Sequence, residues 1–154
     1  MKTSPQTVAA IALLEGTRLH PYNDLNGNAT NGIGHLLHKG PCDGTEPTLT
    51  EAEALDQFSN DLYSKAEIFV NRFVKAPLTQ NQFDALSDFC YNEGCGSLQK
   101  VVSETGLDRP FEADYVAVPG HLMSYNKIRK NGVLVPCPGL TNRRQFEIDL
   151  WNKV

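Results

Sequence analysis

Between Leu55 and Phe73, apolar side chains return at helical spacing: Leu55, Phe58, Leu62, Ala66, Phe69, Val70 and Phe73 form one stripe over about six turns. Ahead of it, Thr50-x-x-Glu53 is a capping box, in which hydroxyl and carboxylate each satisfy an amide left open at a helix start. Pro77 ends the segment. A helix of this length in a chain of 154 residues has to cross most of the molecule, so the spacing predicts a helix over about 51–74 joining two lobes of one domain. At 40% apolar and 21% charged residues the chain has an ordinary globular composition, which excludes disordered, collagenous and fibrous classes.

The remaining elements fall around that helix. A short helix is expected over 4–15, capped by Thr3 or Ser4, with Pro5 in its first turn and Gly16 as its stop. Residues 17–38 are punctuated by Pro21, Asn26-Gly27 and Asn31-Gly32, which suggests a small antiparallel sheet within a β-containing lobe of about 17–50. Thr79-x-x-Gln82 opens a further helix that Gly94-Cys95-Gly96 closes. Helical pieces are expected at 97–103 and 111–125, broken at Pro119, then a loop at Asn131-Gly132 and Pro136–Gly139, then a last helix over about 142–152. The sum is an α+β protein, with a helical lobe at about 77–154 against which the 4–15 helix packs.

Charge is unevenly spread. Residues 121–154 are net +4 and residues 1–120 net −8, giving −4 overall. That balance argues against a nucleic-acid binder, and a basic end on an acidic body suits an anionic polymer. The apolar run Ala9–Leu14 is too short for a membrane span or a signal-peptide core, so a soluble protein made in a cytosol, without signal peptide or signal-anchor, is expected. Cys42, Cys90, Cys95 and Cys137 form no Cys-x-x-Cys pair, and His20, His35, His38 and His121 lack zinc-finger spacing. No metal and no cofactor is assigned. Free thiols are expected, with a bridge after export left open, Cys90–Cys95 being the nearest pair in sequence.

Glu15 is the odd residue of the first helix. On the pattern Val8, Ile11, Ala12, Glu15 it shares a face with apolar side chains, and it stands at the negative end of the helix dipole. Desolvation and dipole both disfavour the anion, the condition a general acid needs. Nine residues on, Asp24 lies in a turn whose amides can keep it ionised, and Thr30 offers a hydroxyl that could hold a water. A neutral and a charged carboxyl facing each other is the usual glycosidase arrangement.

Glu15-Gly16-Thr17-Arg18-Leu19-x-x-Tyr22-x-Asp24, then Thr30-x-Gly32-x-Gly34-His35-Leu36-Leu37, resembles the active-site segment of phage lysozymes, the endolysins of glycoside hydrolase family 24, marked by Glu, eight residues, Asp, five residues, Thr. Pro77–Leu86 and Asn92-x-Gly94-Cys95-Gly96 resemble the family's next helix. Gly139-Leu140-x-Asn142-Arg143-Arg144-x-x-Glu147-x-x-Leu150-Trp151 resembles its C-terminal signature. The agreement runs in order over nearly the whole chain. Segment 103–121 departs from the pattern, as does the acidic net charge.

The resemblance implies a lysozyme-like fold with its cleft between two lobes. It implies hydrolysis of the β-1,4 bond from N-acetylmuramic acid to N-acetylglucosamine in peptidoglycan, with Glu15 as acid, Asp24 handling the attacking water and Thr30 orienting it. Inversion at the anomeric carbon would need ~6.5–9.5 Å between the carboxyls. Leu36, Gly32, Gly34, Tyr125 and Asn126 are then substrate-side candidates, and Arg18, His35, Arg143 and Arg144 structural supports. The implied setting is a monomer made in a host cytoplasm, without membrane insertion, reaching the glycan strands of the wall through a holin-type lesion. An injected antibacterial muramidase, a lytic transglycosylase and a silent wall-binding module are the alternatives.

Overall fold

Three side-chain caps start the helices that matter most. In the computed structural model, which describes residues 1–153, the Ser4 hydroxyl accepts from Thr7 N and begins α1 (Pro5–Glu15). Thr50 and Thr79 each complete a capping box, with Glu53 and Gln82. The chain divides into two compact units, residues 4–64 and residues 1–3 with 65–154.

In the unit of residues 4–64, α1 leads through Gly16 into β1 (Arg18–Asn23), which pairs antiparallel with β2 (Ala29–Gly32), and β2 pairs with β3 (His35–His38). α2 (Glu51–Leu62) closes it. Ile11, Ala12, Ala29, Ile33, Ala54, Phe58 and Leu62 form the core. Two expectations fail here. The first helix belongs to this unit, packing on α2, and not to the helical lobe. The long stripe is not one α-helix: α2 gives way to a π-helical turn, Tyr63–Glu67, before α3 (Ile68–Phe73). The buried line also begins at Ala54, leaving Leu55 exposed.

The second unit is organised by α4 (Gln80–Glu93), whose residues from Phe83 to Cys90 are all buried. α5 (Cys95–Glu104), α6 (Val118–Met123) and α7 (Pro138–Trp151) follow, with α4 and α7 in the most extensive contact. The expected helix over 111–125 shrinks to α6, because Asp114 folds the chain before it by accepting from Val116 N and Ala117 N. Pro119 stands in the first turn of α6, where it starts the helix rather than breaking it. Pro138 does the same for α7, which therefore begins earlier than 142. The expected loop around Asn131-Gly132 is a β-hairpin of β4 (Lys127–Lys130) and β5 (Val133–Pro136). Asn131 and Gly132 both take positive φ, 50° and 82°, as a two-residue hairpin turn requires. Among the described residues, no helix is long and apolar enough to cross a membrane.

Candidate active site

The turn joining β1 to β2 is built around Asp24. Its Oδ1 accepts from Asn26 N at 2.8 Å and Asn28 N at 2.9 Å, its carbonyl accepts from Gly27 N, and its own N–H donates to Asn28 O. The Asn28 amide, helped by those of Asn26 and Gly27, holds the carboxyl below its ordinary value against a partial loss of solvent. Asp24 is therefore an anion at neutral pH.

Thr30 is buried in the middle strand, and its Oγ1 donates to Asn28 O at 3.2 Å. Tyr22 on one side and Leu36 on the other are its register partners, so the three side chains share one face of the sheet. The Arg18 guanidinium lies 4.5 Å over the Tyr22 ring. His35 Nδ1 stands 2.9 Å from Asp61 Oδ2, which explains how an aspartate is tolerated on the buried face of α2. Glu15 ends α1, one residue before the Gly16 cap.

Here the geometry departs from the sequence reading. Glu15 is exposed, and the buried face of α1 is formed by Thr7, Ile11 and Ala12. Gly32, a substrate-side candidate by resemblance, is itself buried. A Cβ there would meet Gln57 Oε1 at 2.5 Å and Leu49 Cδ1 at 3.3 Å, so glycine is required by the packing of α2 on β2. Gly34 has open space around it, and Leu36 is 45% exposed.

In the second unit the C-terminal arginines are buried supports. Arg143 grips Asp88 with Nη2 to Oδ1 at 2.6 Å. Arg144, fully buried, donates to Glu93 and Glu147 at 2.6 Å, to Asn92 Oδ1 at 2.7 Å and to the Tyr125 carbonyl, and lies 5.0 Å over the Phe89 ring. Burial pushes the carboxyls of Asp88 and Glu147 up despite the arginines, Glu147 well above its usual value. Tyr125 packs edge-on against Phe89 at 5.1 Å, and Asn126 accepts from Cys137 N through its carbonyl. Both positions thus have packing roles, whatever they add at the substrate.

The four cysteines are free thiols, with Cys90 pushed up to about 12 by burial. His38, Asp43 and Glu46 bring possible ligand atoms within 4.8 Å of one another. Glu46 already accepts from Asp43 N and Gly44 N and faces His38 Nε2 at 3.0 Å, an arrangement that shuts the loop after β3. Asn28, the hub of the Asp24 turn, belongs to no motif the sequence displays, and only its place after Asn26-Gly27 marks it as turn-forming.

The phage lysozyme family profile matches residues 12–147. An endolysin of Acyrthosiphon pisum secondary endosymbiont phage 1 is 31% identical over 96% of this chain and 95% of its own length. An endolysin of Lactococcus phage c2 is 34% identical over 99% of this chain, which spans 61% of that protein. Among solved structures, the muramidase domain of SpmX from Asticaccaulis excentricus superposes with a TM-score of 0.82 at 27% identity, covering 99% of each chain. The chain belongs to the phage lysozyme family, glycosidases that hydrolyse peptidoglycan in host-cell lysis.

Proposed function

We propose that Glu15, Asp24 and Thr30 cleave the β-1,4 bond between N-acetylmuramic acid and N-acetylglucosamine. Glu15 gives its proton to the leaving oxygen as the bond to the anomeric carbon breaks. Asp24 takes a proton from the water that attacks that carbon, and Thr30 accepts a hydrogen bond from the same water, its own proton being committed to Asn28 O. The observation that carries this reading is the shared frame of Asp24 and Thr30: both bond to Asn28, one as a carboxylate whose anion the turn amides favour. Because Glu15 is exposed in the free chain, the sugar rings of the substrate supply the shielding its role demands. Leu36 and Gly34, open on the sheet, line the saccharide. The enzyme works as a monomer and reaches the wall through a lesion opened by a holin-type membrane protein.

Purified peptidoglycan digested with the wild-type chain should release fragments with new reducing ends, read by mass spectrometry. Glu15→Gln should abolish that release while leaving the thermal midpoint in place. Full turnover by Glu15→Gln would remove the acid from its role, and 1,6-anhydro ends would replace hydrolysis by intramolecular transfer.

A further inference from the structure

Asn28 makes four hydrogen bonds that tie the two halves of the site together. Its N–H donates to Asp24 Oδ1 at 2.9 Å, and its carbonyl accepts from Asp24 N at 2.9 Å and from Thr30 Oγ1 at 3.2 Å. With that carbonyl occupied, its side chain takes over the outward pairing: Oδ1 accepts from Gly40 N at 3.2 Å, beside the bond from Ala29 N to Gly40 O at 2.7 Å. An acceptor toward Gly40 on a short arm is needed at this position, which asparagine and aspartate supply and alanine does not.

We infer that Asn28 is a positioning residue: its side chain pins the turn to Gly40 so that its main chain orients the Asp24 carboxylate and the Thr30 hydroxyl toward one water. This rests on the reading of Asp24 as the group that handles the attacking water. The backbone amide of Asn28 is the largest influence holding the Asp24 carboxyl low, and its aim depends on the turn that the side-chain bond to Gly40 N holds in place.

The test uses the full chain, with the Asp24 carboxyl followed by carbon-detected NMR titration and turnover of soluble glycan strands measured across pH. Asn28→Asp keeps the acceptor for Gly40 and adds a like charge beside Asp24, whereas Asn28→Ala removes the acceptor and adds none. The Asp24 titration should move upward, the acid limb of kcat/KM should move with it, and kcat should fall roughly tenfold or more with KM within about twofold. Asn28→Ala should move both in the same direction by less, because no charge is added. A purely structural residue would lower the unfolding midpoint without moving the titration. If Asp24 titrates as in the wild type in both variants, the inference is overturned. Should Asn28→Ala fail to fold, Asn28→Asp alone decides. Movement of the titration with the acid limb and kcat unchanged would uphold the part of Asn28 in setting Asp24 while removing Asp24 from catalysis, so the two readings fail separately.

Discussion

Asp24 and Glu147 are carboxyl groups stabilised by opposite means in the two units. Asp24 is half-buried at a turn, and backbone amides surround its anion and hold the carboxyl below its ordinary value. Glu147 is wholly buried on α7, and burial outweighs the neighbouring Arg144, so it tends to hold its proton. Asp88 shares the second condition and is clasped by Arg143. The comparison teaches that the strongest perturbation of an acid in this molecule marks architecture rather than chemistry. Two arginines and two carboxyls lock α4 to α7, whereas the candidate catalytic carboxyls stay where a polymer can reach them.

Removing one member from each region should separate the two roles most widely. Asp24→Asn should lower kcat by on the order of 10²–10⁴ with little change in unfolding temperature. Arg144→Met leaves Glu93 and Glu147 without their buried cation and should cost about 3–5 kcal/mol. That lowers the midpoint by roughly 6–20 °C for a chain of this size, while the folded fraction keeps its turnover. Calorimetry and a turbidity assay on the same preparations check both. A stable, active Arg144→Met would dissolve the contrast.

The next effect is smaller and depends on pH. Glu147 and Asp88 are raised in the native state, so folding retains protons that the unfolded chain releases above about pH 4. Their contribution is complete below the unfolded values and declines as pH rises. Asp24, Asp43, Glu46 and Glu53 are lowered, so they stabilise above the unfolded values and lose that contribution only as pH falls through their native ones. Glu147→Gln should therefore flatten the decline: the midpoint of the variant relative to wild type should grow more favourable from pH 5 to pH 8. A difference constant over that range would mean that Glu147 is not protonated in the native chain.

How far the sequence reveals this depends on what each residue's neighbours are. Both capping boxes and the Asp24 turn are legible because local chemistry decides them within a few residues, whereas His35 finds Asp61, 26 residues on, only through the fold. The exposure of Glu15 is not legible in the same way. In Pro5–Glu15 apolar side chains surround the helix, so periodicity does not choose a face, and Leu13 and Leu14 turn out at 85% and 51% exposure beside it. The hairpin at Asn131-Gly132 hides behind Lys127, Arg129 and Lys130, which mask strand alternation, although the turn dipeptide itself was the available signal. The π-helical turn over Tyr63–Glu67 carries no sequence mark, since the apolar stripe runs through it at unbroken helical spacing.

The smallest expected effects come from the two glycines between Thr30 and His35, which the sequence treats as equivalents. Gly32 and Gly34 both have positive φ, 59° and 69°, so an alanine at either pays a left-handed penalty of roughly 1–2 kcal/mol. Only at Gly32 does the new methyl also collide, with a Gln57 oxygen that is buried and has no hydrogen-bond partner. Gly32→Ala should therefore be the less stable of the two, with KM unchanged once folded. Gly34→Ala should unfold slightly above it and instead raise KM for glycan strands, because that backbone is open where Leu36 lines the sheet. Equal KM values in both variants, measured on the same strands, would move the saccharide away from Gly34 and leave Leu36 without its neighbour on the substrate side.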